Sequence, residues 1–119
     1  MGDTAESLLT FENAALPLCV MCTQGRVIMA NRAMRALLGY AFNEISGKRI
    51  DELVVAERAV LAAGWEERIT SRQRVTPERR MRLRCADGSE VAVRASSVIV
   101  TDSQGSTRYV VARAVPERP

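Results

Sequence analysis

The run RMRLRC at residues 80–85 alternates between arginine and an apolar or thiol side chain. This period of two predicts a β-strand that turns Met81, Leu83 and Cys85 to one face. The dipeptide DG at 87–88 then predicts a hairpin, because glycine supplies the positive φ of a tight turn. Two further apolar strands are predicted at residues 91–100 and 108–115, with a turn between them at residues 102–105. The last third of the chain is therefore expected to form an antiparallel meander with one buried face.

The first thirty residues predict one helix and two more strands. Asp3 followed by Glu6 is typical of a capping box, which predicts a helix over residues 5–13. Apolar strands are predicted at residues 16–22 and 26–30, with the turn TQG between them. The N-terminal part thus supplies strands to the same sheet and a helix that precedes it.

The second of these strands changes abruptly into a helix at Asn31. Asparagine is a favoured N-cap because its side-chain oxygen accepts hydrogen bonds from amides of the first turn. Apolar residues then recur at helical spacing up to Gly39, which suits a left-handed C-cap. We interpret Asn31 as a structural cap and not as a ligand contact.

The middle of the chain is predicted to be helical. Residues 42–47 and 50–53 each predict a single helical turn. The longest helix is predicted over residues 55–71, where Leu61, Trp65 and Ile69 share one face. Strands, helices and a meander in this order imply an α+β fold, with helices over one face of one antiparallel sheet.

Composition limits the class of protein. A chain of 119 residues, 47% hydrophobic, is enough for one domain with its own core. No apolar run approaches the ~20 residues that cross a bilayer and no signal peptide is evident, so we expect a soluble, cytoplasmic protein with no membrane contact. The chain has no histidine, which removes a common general base, metal ligand and haem ligand. We expect no enzymatic activity.

Cys19 and Cys22 have the C-x-x-C spacing. Redox and zinc sites need more than spacing, namely a helix N-terminus under the first sulfur or a second pair of ligands. Here both cysteines lie inside a predicted strand. We interpret them as buried structural thiols and predict no metal site.

Three stretches match a known family in their order and spacing. They read FENAALPLCVMCTQGRVIMANRAMRALLGY, NEISGKRIDEL and RCADGSEVAVRASSVIVTDSQGSTRYVVARAV. Together they resemble the PAS (Per-ARNT-Sim) sensor domain from residue 11 to about residue 115. The resemblance implies a five-stranded antiparallel sheet in the order 2-1-5-4-3, with short helices and one longer helix packed on one face. It also implies a sensory cavity between sheet and helices, an output domain and usually a homodimer.

The resemblance divides the chain into an N-terminal helical cap (1–13), the PAS domain (14–115) and the start of a linker to an output domain (116–119). Ile50 stands where the light-sensing branch of the family carries its flavin-reactive cysteine, so no covalent flavin photocycle is expected. Haem is not expected either, because no histidine is present to ligate it. The cofactor is therefore unknown, and a small organic ligand fits best. Many members of the family end their last strand with the motif Asp-Ile-Thr-Glu-Arg. In this chain residues 114–118 read AVPER, so the Asp and the Thr of the motif are replaced.

The cavity implied by the resemblance predicts a binding site for a small molecule. Its predicted wall residues are Met21, Met29, Met34, Leu37, Leu53, Trp65, Ile69, Met81, Leu83, Val93, Ala95, Ser97 and Val111. The methionines would make this lining adaptable. Trp65 and Ser97 carry the more specific prediction, because a buried indole N–H or hydroxyl needs a hydrogen-bond partner. A closed hydrophobic core needs the same residues, and that alternative stays open.

Arginines cluster between the long helix and the first strand of the meander. They are Arg72, Arg74, Arg79, Arg80, Arg82 and Arg84. Aromatic residues for base stacking are lacking nearby. Charges on an edge strand discourage unwanted strand pairing, so we interpret the cluster as a solvated sheet edge and expect no direct nucleic-acid binding.

We expect a non-catalytic sensory module, N-terminal in a bacterial transcriptional regulator because the family pattern begins close to Met1. A LuxR-type helix-turn-helix or a histidine kinase would fit as output. A ligand would act by favouring one packing of sheet and helices. The alternative is a ligand-free dimerisation module that pairs through Leu8, Leu9 and Phe11 or through the outer sheet face. An enzyme would need convergent acid–base or nucleophilic groups, which the sequence does not present.

Overall fold

The computed structural model describes residues 4–117. Asp3, the predicted capping residue, lies outside the described residues, as do residues 118–119 of the predicted linker. The elements in chain order are α1 (Thr4–Asn13), β1 (Leu18–Cys22), β2 (Val27–Ala30), α2 (Arg32–Leu38), α3 (Ile50–Leu53), α4 (Arg58–Thr70), β3 (Arg79–Arg84), β4 (Glu90–Thr101) and β5 (Thr107–Pro116).

The strands form one five-stranded antiparallel sheet in the order β2-β1-β5-β4-β3. The two longest strands, β4 and β5, pair near its middle, and the short β2 and β3 form its edges. The predicted α+β fold class and strand order are confirmed. The hairpin between β3 and β4 is also as predicted, with Gly88 at a φ of 89°.

Residues 42–47, predicted as a helical turn, form tight turns instead. The N–H of Glu44 bonds to the carbonyl of Ala41 at 3.1 Å, and the N–H of Lys48 bonds to that of Ile45 at 3.2 Å. These bonds span three residues and do not continue into a helix. The turns bring Ile45 into the core, where its side chain is 1% exposed.

The long helix α4 begins at Arg58 and not at residue 55 as predicted. The N–H of Val55 donates to the carbonyl of Arg82 at 3.0 Å, and Val54 forms a bridge with Leu83. This segment therefore extends along the edge of the sheet before the helix begins. A hydrophobic pattern cannot reveal such a competing backbone partner.

Asn31 is buried completely, with 0% of its side chain exposed, and it joins three parts of the chain. Its Oδ1 accepts hydrogen bonds from the backbone N–H of Met34 at 2.9 Å and of Leu18 at 3.0 Å. Its Nδ2 donates to the carbonyls of Phe11 at 3.0 Å and Leu16 at 2.9 Å. The predicted N-cap is confirmed, and the same side chain also fixes the connection from α1 to β1.

A paired arginine and glutamate hold α1 against α2. Nη1 and Nη2 of Arg35 donate to the two carboxylate oxygens of Glu12 at 2.9 and 2.8 Å, and Nη1 also donates to the carbonyl of Ala30 at 2.7 Å. The hydrogen bond from Arg35 lowers the pKa of Glu12, and the bond to Glu12 raises the pKa of Arg35. The N-terminal helix is thus attached to the domain by a bidentate ion pair.

The core lies on the inner face of the sheet, beneath α2, α3 and the turns that follow α2. Its buried hydrophobic residues are Cys19, Met21, Val27, Ala30, Met34, Leu38, Ile45, Leu53, Leu83, Val93, Ile99, Val110 and Ala114. The outer face of the sheet carries Val98 and Val100, which are 44% and 40% exposed. Within residues 4–117, no helix has both the length and the hydropathy needed to span a bilayer.

Candidate functional site

A cavity of about 580 Å³ lies between the inner face of the sheet and the helices α3 and α4. Its floor consists of small side chains on two neighbouring rows of the sheet. Ala95 pairs with Ala114 in one row, and in the next Ser97 pairs with Ala112, which pairs with Cys19. We call these residues the small-residue floor. Because none of them reaches far from the sheet, space remains beneath α4.

Apolar side chains from the helices and the outer strands complete the wall. They include Met21, Met34, Leu38, Ile45, Ile50, Leu53, Leu61, Trp65, Met81 and Leu83. The volume falls within the ~300–1,000 Å³ that small-molecule sites occupy. Helix α4, which covers the floor, has no buried residue of its own. Hydrogen bonds from Trp65 and Arg68 attach it to the rest of the domain, and Oγ1 of Thr107 donates to the carbonyl of Ile69 at 2.9 Å.

Trp65 anchors α4 to the turn between β1 and β2. Its Nε1 donates to the backbone carbonyl of Thr23 at 2.7 Å. A Cβ on Gly25 of that turn would lie 3.6 Å from the indole, and Gly25 has a φ of 76°. The polar partner that we expected Trp65 to need is therefore supplied by the protein, and the indole offers the cavity its apolar surface only.

Ser97 is likewise bonded within the protein. Its Oγ accepts a hydrogen bond from Nε of Arg68 at 2.8 Å and lies 3.3 Å from Oγ1 of Thr76. Arg68 also donates to the carbonyls of Gln73 and Arg74 at 2.7 and 2.9 Å. Burial lowers the pKa of Arg68, because desolvation disfavours its charged form. The serine therefore positions a guanidinium at the cavity wall.

The edge strand β3 forms one side of the cavity. Arg79, Arg80 and Arg82 line this side and are exposed. Arg80 pairs with Glu117 at 3.0 Å, and Arg82 pairs with Glu90 at 2.9 Å. The predicted position of this strand at the sheet edge is confirmed. On this side the lining carries arginines, two of them paired with carboxylates, whereas most of the remaining lining is apolar.

Sequence comparison identifies the family. A family model described as PAS domain matches residues 17–114 of the chain. The chain belongs to the PAS domain family. It is therefore a sensory domain of the kind used in signal transduction, as the resemblance predicted. No curated protein matches the sequence.

Solved PAS domains share the backbone of this one. The PAS domain of a protein from Colwellia psychrerythraea has a TM-score of 0.82 at 15% identity, over 95% of each chain. The PAS domain of an HTR-like protein from Haloarcula marismortui has a TM-score of 0.75 at 20% identity, over 96% of this chain and 92% of that one. A domain of a sensory box sensor histidine kinase/response regulator from Geobacter sulfurreducens has a TM-score of 0.72 at 17% identity, over 94% and 92%. At these identities the likeness shows the fold.

Most of the predicted wall residues come together at the cavity of this PAS domain. They are Met21, Met34, Leu53, Trp65, Met81, Leu83, Ala95 and Ser97. Met29 and Val111 lie on the outer face instead, because Met29 pairs with Val20 and Val111 pairs with Val20 and Val98. Successive side chains on a strand point to opposite faces of the sheet. Met29 and Val111 each lie next to a residue that faces inward, so they face outward.

Three other predicted residues lie away from the cavity. Val93 is 0% exposed in the core and so presents no surface to a ligand. Leu37 packs against the core from α2, where its carbonyl lies 3.8 Å from Sγ of Cys85. Ile69 borders a separate polar cleft near the end of α4 together with Thr70 and other residues.

The cysteines are free thiols. Cys19 is buried in the floor, as predicted, and burial raises its pKa to about 12. The prediction that Cys22 is also buried is wrong, because Cys22 lies three residues further along the strand, points to the opposite face and is half-buried. Within residues 4–117 no three histidine, cysteine, aspartate or glutamate side chains are placed to hold a metal ion.

Ala112, Ala114 and Arg68 line the cavity but were not predicted as site residues. Ala112 and Ala114 occupy inward positions of β5. Two small residues at alternate positions of a strand could have predicted them as part of a cavity wall. Arg68 lies three residues after Trp65, which places it on the same side of α4. Helical spacing alone could have included it, but not its hydrogen-bond partners.

Proposed function

We propose that this PAS domain is a sensory module that binds a small apolar ligand in the cavity above the small-residue floor. The observation that carries the proposal is the floor itself. Protein cores are packed to nearly crystalline density, and a sheet face meant only for packing would carry larger side chains beneath a helix. Here Ala95, Ala112 and Ala114 leave that volume to an occupant.

The proposed route to an output begins at Glu117. Its N–H donates to the carbonyl of Ala92 at 3.0 Å, and its carboxylate lies 3.0 Å from Nε of Arg80 and 3.6 Å from Nε of Arg94. Arg80 also lines the cavity. A ligand that favours one position of β3 would therefore favour one position of the chain after Pro116.

On this proposal residues 14–115 form the sensor and residues 116–119 begin a linker to an output domain. A bacterial transcriptional regulator or a histidine kinase is the proposed parent protein, and a sensor histidine kinase occurs among the structural relatives. The free thiols fit a reducing, cytoplasmic compartment. We propose no catalysis, because Arg68, Thr76 and Ser97 bond to one another and the thiol of Cys19 stays protonated.

Filling the cavity should abolish ligand binding. Ala112→Phe places a ring on the floor, whereas Ala63→Phe adds the same ring to the exposed side of α4. At roughly ten times its Kd, octanoate or octanol should raise the Tm of the wild type and of Ala63→Phe by about 5 °C. The Tm of Ala112→Phe should not respond, while its circular dichroism remains that of a folded domain. Equal responses in all three proteins, or none in the wild type, would contradict a ligand site here.

A ligand-free dimerisation module is the second candidate. It is favoured by the apolar outer sheet face, where Val98 and Val100 are exposed, and by Leu8 and Leu9 of α1, which are 45% and 63% exposed. A homodimer through these surfaces is compatible with ligand binding on the opposite face. Sedimentation of the wild type that shows a dimer, together with no Tm response to any probe, would favour this candidate over the first.

A further inference from the structure

We propose that the ligand of this cavity is an amphipathic carboxylate, whose apolar body fills the cavity and whose carboxylate binds Arg68 and Arg79. The inference rests on the proposed function and adds the chemical class of the ligand. It follows from the charges at one end of an otherwise apolar site.

Arg68 is a half-buried cation whose partners are all neutral. Its donors contact Oγ of Ser97 and the backbone carbonyls of Gln73, Arg74 and Ser97 at distances between 2.7 and 3.2 Å. Within residues 4–117, no carboxylate lies within ion-pair distance of it. A guanidinium has five N–H groups. Four of them donate in these bonds, and one N–H on Nη1 has no acceptor among them. The side chain is thus held in place with its charge unneutralised.

Arg79 also lines the cavity, and the strand register places it near Ser97. It pairs with Ala95 across the sheet, and Ala95 is two residues from Ser97 on the same face of β4. Arg79 therefore shares the inner face with Ser97, to which Arg68 is bonded. The neighbouring Arg80 and Arg82 have carboxylate partners, but Arg79 has none among the described residues.

A carboxylate suits this arrangement better than other anchoring groups. A carboxylate can accept a charge-assisted hydrogen bond from the N–H that Arg68 has left and others from Arg79, and such bonds strengthen where water is partly excluded. An alcohol of the same length would bury the same apolar surface without neutralising either guanidinium. An amine would bring a like charge against both. Among ligands of equal apolar size, an anion should therefore bind most tightly, a neutral molecule less tightly and a cation most weakly.

Octanoate, octanol and octylammonium share one apolar body and test this ranking directly. Trp65 is the one tryptophan of the chain and lines the cavity, so its emission reports binding of each probe. We expect octanoate to bind at least about tenfold more tightly than octanol, and octylammonium most weakly. Arg68→Met and Arg79→Met should each reduce octanoate affinity by about tenfold and leave octanol affinity unchanged.

Arg72→Met is the matched control, because it removes one positive charge outside this cavity and should leave octanoate affinity unchanged. Circular dichroism tests whether Arg68→Met, which loses several hydrogen bonds, stays folded, and the exposed Arg79 provides an independent variant if it does not. Octanol binding as tightly as octanoate would overturn the carboxylate proposal but keep the ligand site. Failure of all three probes to bind would overturn the proposed function as well. An equal loss of octanoate affinity in Arg72→Met would indicate a general charge effect and also overturn this inference.

Discussion

Replacing Asn31 with alanine is expected to lower the free energy of unfolding by about 3–5 kcal/mol. The loss of the N-cap contributes about 1 kcal/mol, because the N–H of Met34 loses its acceptor. The carbonyls of Phe11 and Leu16 and the N–H of Leu18, which are partly buried, also lose their partner. Each buried group without a partner costs about 1–3 kcal/mol, reduced where water can enter. For a domain of ordinary stability, ~5–15 kcal/mol, this is a large fraction.

Urea unfolding followed by the emission of Trp65 measures this change. Asn13→Ala is the control, because Asn13 is exposed and its Nδ2 makes a hydrogen bond within α1, to the carbonyl of Leu9 at 3.0 Å. Its effect should stay within about 0.5 kcal/mol. Asn31→Asp keeps the acceptor oxygen but loses the donors, so it should be destabilised at neutral pH as well. An unfolding midpoint for Asn31→Ala equal to that of Asn13→Ala would remove Asn31 from its central role in the fold.

Trp65→Ala is expected to lower the free energy of unfolding by about 2–4 kcal/mol. Truncation of a fully buried aromatic side chain costs about 3–5 kcal/mol, and the half-buried position of Trp65 lowers that figure. Part of the loss is the hydrogen bond from Nε1 to Thr23. Trp65→Phe keeps most of the apolar contact and loses only this bond, so it should cost about 1 kcal/mol.

Because these variants lack the fluorophore, circular dichroism in urea is the suitable measurement. Val60→Ala is the control on the same helix, since Val60 is 62% exposed and should cost little. If Trp65→Ala unfolds at the same urea concentration as Val60→Ala, then Trp65 does not anchor α4 and the roof of the cavity is held elsewhere. If Trp65→Phe is as unstable as Trp65→Ala, the hydrogen bond outweighs the packing.

Local chemistry predicted much of this fold. The alternating pattern predicted that Met81 and Leu83 share the inner face, and both line the cavity. The position of Asn31 between a strand and a helix predicted an N-cap, and its side chain caps α2. In these cases the deciding interactions lie within a few residues along the chain. The family pattern then supplied the strand order, which local chemistry does not determine.

Register and irregularity explain the residues that were misplaced. Met29 was expected in the cavity, but the β1–β2 pairing shifts between Val20 and Met21, which leaves Ile28 as an extra residue and turns Met29 outward. An alternating pattern contains no sign of such a bulge. Val111 has apolar neighbours on both sides in sequence, so its face depends on the pairing of β5 with Val98. The partners of Arg68 come from β4 and from the segment after α4, and sequence spacing cannot identify them.

The central claim is that a small ligand enters the cavity, and methyl NMR of the methionines tests it most directly. Met21, Met34 and Met81 line the cavity, whereas Met29 lies on the outer face and serves as an internal control. On titration with octanoate or octanol, the methyl signals of the three lining methionines should shift while that of Met29 stays unchanged. A spectrum that neither compound alters, or one in which Met29 shifts and the other three do not, would contradict the claim.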